Sequence, residues 1–210
     1  MPKFPEPPST AFLRHVGADV VSLLAGTRLY RVFYKAGPHP TAWNVFRNHG
    51  PVATARFDHH VPPRHNQDRA IQYAATSIPI CIAEVFQTSR VIDRRSGDPW
   101  VAAFDLAQDL PLLDLRGIWP TRAGTSQAIS SSPLRERAQR WSRRLYESYP
   151  GDVAGLVYRS SMFCGDTTVA IYERASPYLP NMPVFEFPLM SPGLSAPLDH
   201  LRRTLHYRLL

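Results

Sequence analysis

Disulfide chemistry is nearly ruled out at once, because 210 residues contain only two cysteines, Cys81 and Cys164. Two cysteines make no disulfide framework, and Cys81 falls in an apolar segment where a core thiol is the default. Long hydrophobic runs are also missing. The best candidate, residues 71–89, is broken by Gln72, Thr76, Ser77, Pro79, Glu84 and Gln87, which excludes a clean membrane span. The N-terminus lacks a basic-then-apolar leader pattern, so a reducing cytoplasm is the expected location. No glycine-rich phosphate loop follows a strand, which argues against a doubly wound dinucleotide fold. His49, His59, His60 and His65 match neither a zinc-finger nor a His-Glu-x-x-His spacing, and no metal is expected. His59 and His60 are expected in the loop after Arg56, where one of them could touch a ligand.

What is present is an ordinary soluble composition with an excess of positive charge. A formal charge of +7 raises the question of a nucleic-acid partner, but the basic residues form no single block. The densest group, Arg135, Arg137, Arg140, Arg143 and Arg144, reads as a solvated helix face. It lacks the interleaved exposed aromatics of a stacking platform, so no direct nucleic-acid contact is expected. A basic protein would equally steer a small polyanion such as a dinucleotide. Ser126, Ser130, Ser131 and Ser132 form a polar loop with no nucleophile motif, and Asp105 and Asp114 fit turn or edge positions.

Along the chain, Leu29–Tyr34 reads as a central strand, because both of its alternating faces are largely apolar. Thr54–Phe57 reads as a short strand and His59–Asp68 as a polar loop. Ser77 can cap a buried helix whose first turn tolerates Pro79. Trp100–Leu106 and Pro111–Leu115 read as strands, and Ser132-Pro133 opens a helix with Leu134, Ala138, Trp141 and Leu145 as its apolar stripe, ended by Gly151. Ala154–Ser160 and Thr167–Glu173 are expected to pair through a turn near Gly165, and Leu198–Leu205 to close the chain as a short helix. The proline-rich first ten residues and Ser176–Pro197 read as irregular. Strands and helices mixed without regular alternation point to an α+β fold in one domain.

Five polar residues stand where an apolar core should exclude them: Arg31, Arg56, Tyr73, Glu84 and Ser160. Glu84 is the one charged residue between Arg69 and Arg90, and a lone carboxylate there is costly to bury without a partner. Two arginines, one isolated carboxylate and one phenol suggest a site for a charged ligand.

In order, Leu29-Tyr30-Arg31-Val32-Phe33, Arg56-Phe57, Tyr73-Ala74-Ala75, Ala83-Glu84-Val85-Phe86 and Gly155-Leu156-Val157-Tyr158-Arg159-Ser160 resemble the RES-domain family. That family contains bacterial toxins that consume NAD. The resemblance implies an ADP-ribosyltransferase-like fold, a split, twisted, mainly antiparallel sheet pair flanked by helices. It divides the chain into an N-terminal extension (1–26), a RES-like catalytic domain (27–175) and a proline-rich loop and helix on the same domain (176–210). It also implies cleavage of the nicotinamide N-glycosidic bond of NAD, as a glycohydrolase or phosphorylase or, through the same site, as a protein ADP-ribosyltransferase. Glu84, Arg31 and Ser160 are then the catalytic set, and Arg31, Arg56, Tyr73 and Ser160 hold NAD. Expected partners are an antitoxin with a helix-turn-helix domain and, in some settings, a second copy of the chain. A non-catalytic basic nucleic-acid-binding module stands as the rival from another class. Ser160 is preferred over Ser161 because the family's serine follows a Tyr-x pair.

Overall fold

Branched and aromatic residues build the strands that carry the core. The computed structural model describes residues 3–163 and 166–210, so Pro2, Cys164 and the turn expected near Gly165 lie outside the described residues. Within them the strands are β1 (Val20–Leu23), β2 (Arg28–Tyr34), β3 (Arg47–Gly50), β4 (His65–Ala75), β5 (Val91–Ile92), β6 (Pro99–Asp105), β7 (Leu110–Asp114), β8 (Gly155–Arg159), β9 (Thr167–Tyr172), β10 (Phe185–Pro188) and β11 (Arg208–Leu209). The helices are α1 (Thr10–Val16), α2 (Ile78–Val85), α3 (Trp119–Arg122), α4 (Ala128–Ser131), α5 (Arg135–Ser148) and α6 (Ser195–Leu205). No helix among the described residues is long and apolar enough to cross a membrane.

The large sheet runs in the order β1-β7-β8-β9-β4-β2-β6-β10, with β3 added on β4. Its pairs are antiparallel apart from β7–β8, and β5 and β11 make a small parallel pair of their own. The result is the expected α+β domain with a mainly antiparallel sheet and flanking helices. Its two halves meet in a narrow seam. The strands β2 and β4 share one register pair, Tyr30↔Ala75, whereas β2 and β6 pair continuously from Arg28↔Asp105 to Tyr34↔Pro99. Helix α2 packs over this seam against both β2 and β4, burying Ile80, Cys81, Ile82 and Ala83.

Several segments differ from the sequence expectation for physical reasons. Residues 65–68 belong to β4 rather than to a loop, because β3 pairs with that polar, exposed stretch through its backbone. Ladder hydrogen bonds can hold a strand whose side chains bury little. Thr54–Phe57 is not a strand. Its carbonyls are taken by a polar stripe on α5: Arg135 donates to Thr54 O (2.8 Å), Gln139 to Val52 O and Ala55 O (both 2.8 Å), and Ser142 to Phe57 O (2.7 Å). Leu134, 49% exposed, stands outside the apolar stripe of α5, which is Ala138, Trp141 and Leu145. That helix ends at Ser148, before Gly151. The stretch 176–197 contains β10, which pairs along β6.

The arginines of α5 are not a solvated face. Arg137 and Arg140 bind Glu6 (3.0 and 2.7 Å), and Arg137 and Trp141 donate to the carbonyls of Phe4 and Pro5, pinning the N-terminal arm. Arg143 donates to His60 O (3.1 Å) and Arg144 to Thr10 Oγ1 (3.2 Å). Long cationic side chains can hold neighbouring chain as well as face water.

Candidate active site

A cleft of about 890 Å³ opens beside the seam, lined from β2, β4, α2, the 52–56 loop and the start of α5. Arg31, Arg56, Tyr73 and Glu84 all line it, and Ser160 lies buried against Glu84. The fold thus brings the five sequence-selected residues into one neighbourhood.

Arg31 sits on β2 next to the seam and is buried. Its Nη1 donates to Trp43 O (2.7 Å) and Val45 O (2.8 Å), so one arm of the fork holds the 43–45 segment in place. Burial lowers its pKa to about 10, which keeps the guanidinium charged at neutral pH. Arg56 lies on the loop threaded by α5, and its Nη1 donates to Ser132 O. Burial, then the nearby charge of Arg135, lowers its pKa, and its other electrostatic neighbours are Tyr158, Glu84 and Tyr73.

Glu84 stands half-buried in the last turn of α2, next to the exposed Val85 and past the buried run Ile80–Ala83. Its Oε1 accepts the Ser160 hydroxyl (2.6 Å), and its Oε2 accepts Gln87 Nε2 (3.2 Å). Ser160 follows the end of β8, and its Oγ also accepts the backbone N–H groups of Met162 (3.1 Å) and Phe163 (3.0 Å). The same hydroxyl therefore anchors a turn and aims a carboxylate. Ser161, exposed, lines the cleft directly. Tyr73 projects from β4, and burial raises its pKa well above the ordinary phenol range, which keeps the proton on the oxygen as a donor.

Three buried polar atoms on cleft-lining residues have no hydrogen-bond partner among the described residues: Gln72 Oε1, Tyr73 Oη and Ser130 Oγ. Buried polar groups are nearly always satisfied, so these three, of ten such atoms among the described residues, are open to pairing by water or a polar ligand.

Sequence reasoning missed Arg47, Arg64 and Arg135, which also line the cleft. Arg135 had a legible signal, since Arg135, Gln139 and Ser142 recur at helical spacing beside the apolar stripe. His59 and His60 do follow Arg56, but neither is placed to touch a ligand in the cleft, since both are fully buried away from it. His59 stacks on Tyr146 and packs on Tyr172, with ring centroids at 4.4 and 4.6 Å. The His60 ring bonds Asp58, whose Oδ2 accepts Arg47 Nη2 (2.8 Å) and the Val52 N–H (2.6 Å). Burial works to raise the Asp58 pKa, but the His60 bond and the Arg47 charge hold it well below the usual carboxylate range. A Cβ on Gly50 would collide with the His60 ring, so that turn needs glycine for close approach. The anchor fixes the loop that carries Arg56.

Compared with known protein families, residues 28–197 match the model of the RES domain, and every residue lining the cleft lies in that span. The chain belongs to the RES-domain family. Among solved structures, this RES-domain protein is similar to a chain in the crystal structure of the M. tuberculosis MbcT–MbcA toxin–antitoxin complex. The TM-score is 0.59 at 16% identity, with 92% of this chain and 96% of that chain covered. At that identity the likeness establishes the fold. No curated protein sequence matches the chain.

Proposed function

We propose that this RES-domain protein consumes NAD by breaking the bond between nicotinamide and ribose. The observation that carries the proposal is Glu84, the one carboxylate lining a cleft with five arginines among the described residues, aimed by Ser160 at 2.6 Å. Rupture of the N-glycosidic bond sends the bonding pair to the nicotinamide ring, which leaves neutral. Positive charge is left on the ribose C1′ and ring oxygen, the electronic situation of glycoside hydrolysis. A carboxylate fixed beside that charge stabilises the transition state more than the ground state.

Arg31 and Arg56 bind the pyrophosphate, for which a planar guanidinium fork suits the oxygens. Tyr73 meets the nicotinamide ring or a ribose hydroxyl, and Ser160 serves the nicotinamide-ribose end through Glu84. An acceptor then adds at C1′ and releases a proton. Water gives ADP-ribose, inorganic phosphate gives ADP-ribose 1″-phosphate, and a protein side chain gives an ADP-ribosylated protein. We place the protein as a growth-arresting toxin held by an antitoxin with a helix-turn-helix domain, supported by family membership and by the toxin–antitoxin likeness. The nucleic-acid rival is disfavoured because four of the α5 arginines hold the arm, α1 and a loop carbonyl. The test is incubation of purified protein with NAD, with and without phosphate, followed by product identification. Nicotinamide release is expected, and intact NAD with no labelled protein would sink the proposal.

The two adjacent serines should separate. Ser160→Ala frees Glu84 Oε1, so kcat should fall at least about tenfold while KM moves little, the scale of one lost bond to a charged group. Ser161→Ala should change kcat little, since Ser161 makes no bond to Glu84 among the described residues. A thermal midpoint for each variant separates loss of the turn from loss of aim. Equal kcat values for the two variants would remove Ser160 from the machinery.

A further inference from the structure

The cleft carries more positive charge than NAD can match. Of its arginines, Arg47 is paired with Asp58 at 2.8 Å. Arg31, Arg56, Arg64 and Arg135 line the cleft with no carboxylate partner among the described residues. Glu84 is the single acidic side chain facing them there. In NAD the pyrophosphate charge is partly offset by the cationic nicotinamide, so two or three of these guanidinium charges would go unanswered.

The surplus is not spread evenly. Arg135 reaches Glu84 through Gln87, whose Oε1 accepts Arg135 Nη2 (3.1 Å) and whose Nε2 donates to Glu84 Oε2 (3.2 Å), and Arg56 lines the cleft with them. Arg64 immediately precedes β4 at the other end, is exposed, and makes no hydrogen bond or ion pair among the described residues. Near it the rings of His39 and His49 stack with centroids 5.9 Å apart, and His49 Nδ1 is 2.9 Å from Asn66 Oδ1. All four of these residues line the cleft. Asn66 and Tyr73 are seven positions apart on β4. At a rise of about 3.3 Å per residue the two ends are at most about 23 Å apart, room for a dinucleotide laid along the strand.

With cleavage at Glu84, the adenosine half must point to the Arg64 end. We propose that Arg64, with His39 and His49, forms a subsite for a phosphate on the adenosine ribose, so that the preferred substrate is the phosphorylated dinucleotide NADP. This rests on the reading of the cleft as a site that cleaves nicotinamide dinucleotides. A phosphate monoester there adds about two negative charges and three acceptor oxygens. Arginine and histidine donors against such a group form charge-assisted bonds, stronger than neutral ones.

The test compares kcat/KM for NADP and NAD in the wild-type protein and in Arg64→Ala and Arg64→Glu. NADP should be preferred by at least about tenfold, the worth of one charge-assisted contact, and Arg64→Ala should bring the ratio near one. Arg64→Glu should invert it. Equal or better use of NAD by the wild-type protein overturns the subsite, and so does a preference that neither variant moves. If neither dinucleotide is consumed, the cleavage reading fails, and equilibrium dialysis of labelled NADP and NAD decides the subsite. Tighter NADP binding that is lost in Arg64→Ala supports it. Equal binding, or none, overturns it.

Discussion

Glu84→Gln should fold normally and lose at least about a hundredfold of its NAD turnover, the usual scale for removing one preorganised electrostatic contact to a transition state. The amide keeps the shape of the side chain and can still accept the Ser160 hydroxyl at the position now 2.6 Å from Oε1. What it loses is the negative charge against the developing cation at C1′. The loss should fall on kcat, with KM for NAD nearly unchanged, because the arginines proposed to grip the pyrophosphate are untouched. Steady-state nicotinamide release and a thermal midpoint on the same preparation give both halves of the result. A folded Glu84→Gln protein with near-normal kcat would remove Glu84 from the chemistry.

Arg31 should produce the largest effect in cells. Expression of the wild-type chain in bacteria should lower cellular NAD and arrest growth, and Arg31→Ala should relieve both. The alanine variant carries a second cost, since the carbonyls of Trp43 and Val45 lose their shared donor at 2.7 and 2.8 Å. Trp43 O keeps its bond from Gln72 Nε2 (2.9 Å), so the loss falls on the part-buried Val45 O, and a modest drop in thermal midpoint, on the order of 1 kcal/mol, is expected alongside the lost activity. Arg31→Lys is the sharper test. An ammonium keeps the charge but cannot bond two carbonyls and a phosphate through one planar fork, so it should also relieve most of the arrest. Growth arrest that persists with unchanged NAD would point to a different target.

The parts of the site that could be read from the sequence are those that break an apolar pattern. Arg31 in an aromatic strand and Glu84 in an apolar helix are conspicuous, because burying a charge there demands a reason. Arg47 and Arg64 were invisible for the opposite reason, and Arg135 showed only through the polar spacing it shares with Gln139 and Ser142. Each stands in a polar stretch where an arginine needs no explanation, and it is the long-range pairing of β3 with β4, and of α5 with the 52–57 carbonyls, that turns them toward the cleft. The first half of β4 was equally hidden, since His65-Asn66-Gln67-Asp68 shows no alternation and is a strand through its neighbours' ladder. His59 and His60 misled in the other direction: two adjacent histidines after Arg56 look like ligand contacts, yet their rings are packed away behind the loop as its anchor.

The seam has a mechanical consequence. With Tyr30↔Ala75 as the one register pair joining β2 to β4, the two halves of the sheet share less backbone pairing at this joint than β2 shares with β6 or β4 with β9. Arg31 belongs to one side of that joint and Tyr73 to the other, and α2, with Cys81 Sγ donating to Tyr30 O at 2.8 Å, lies across it as a splint. A molecule gripped by both sides would act as a rivet, resisting rotation of one half against the other and drawing the carboxylate on the splint into register with both.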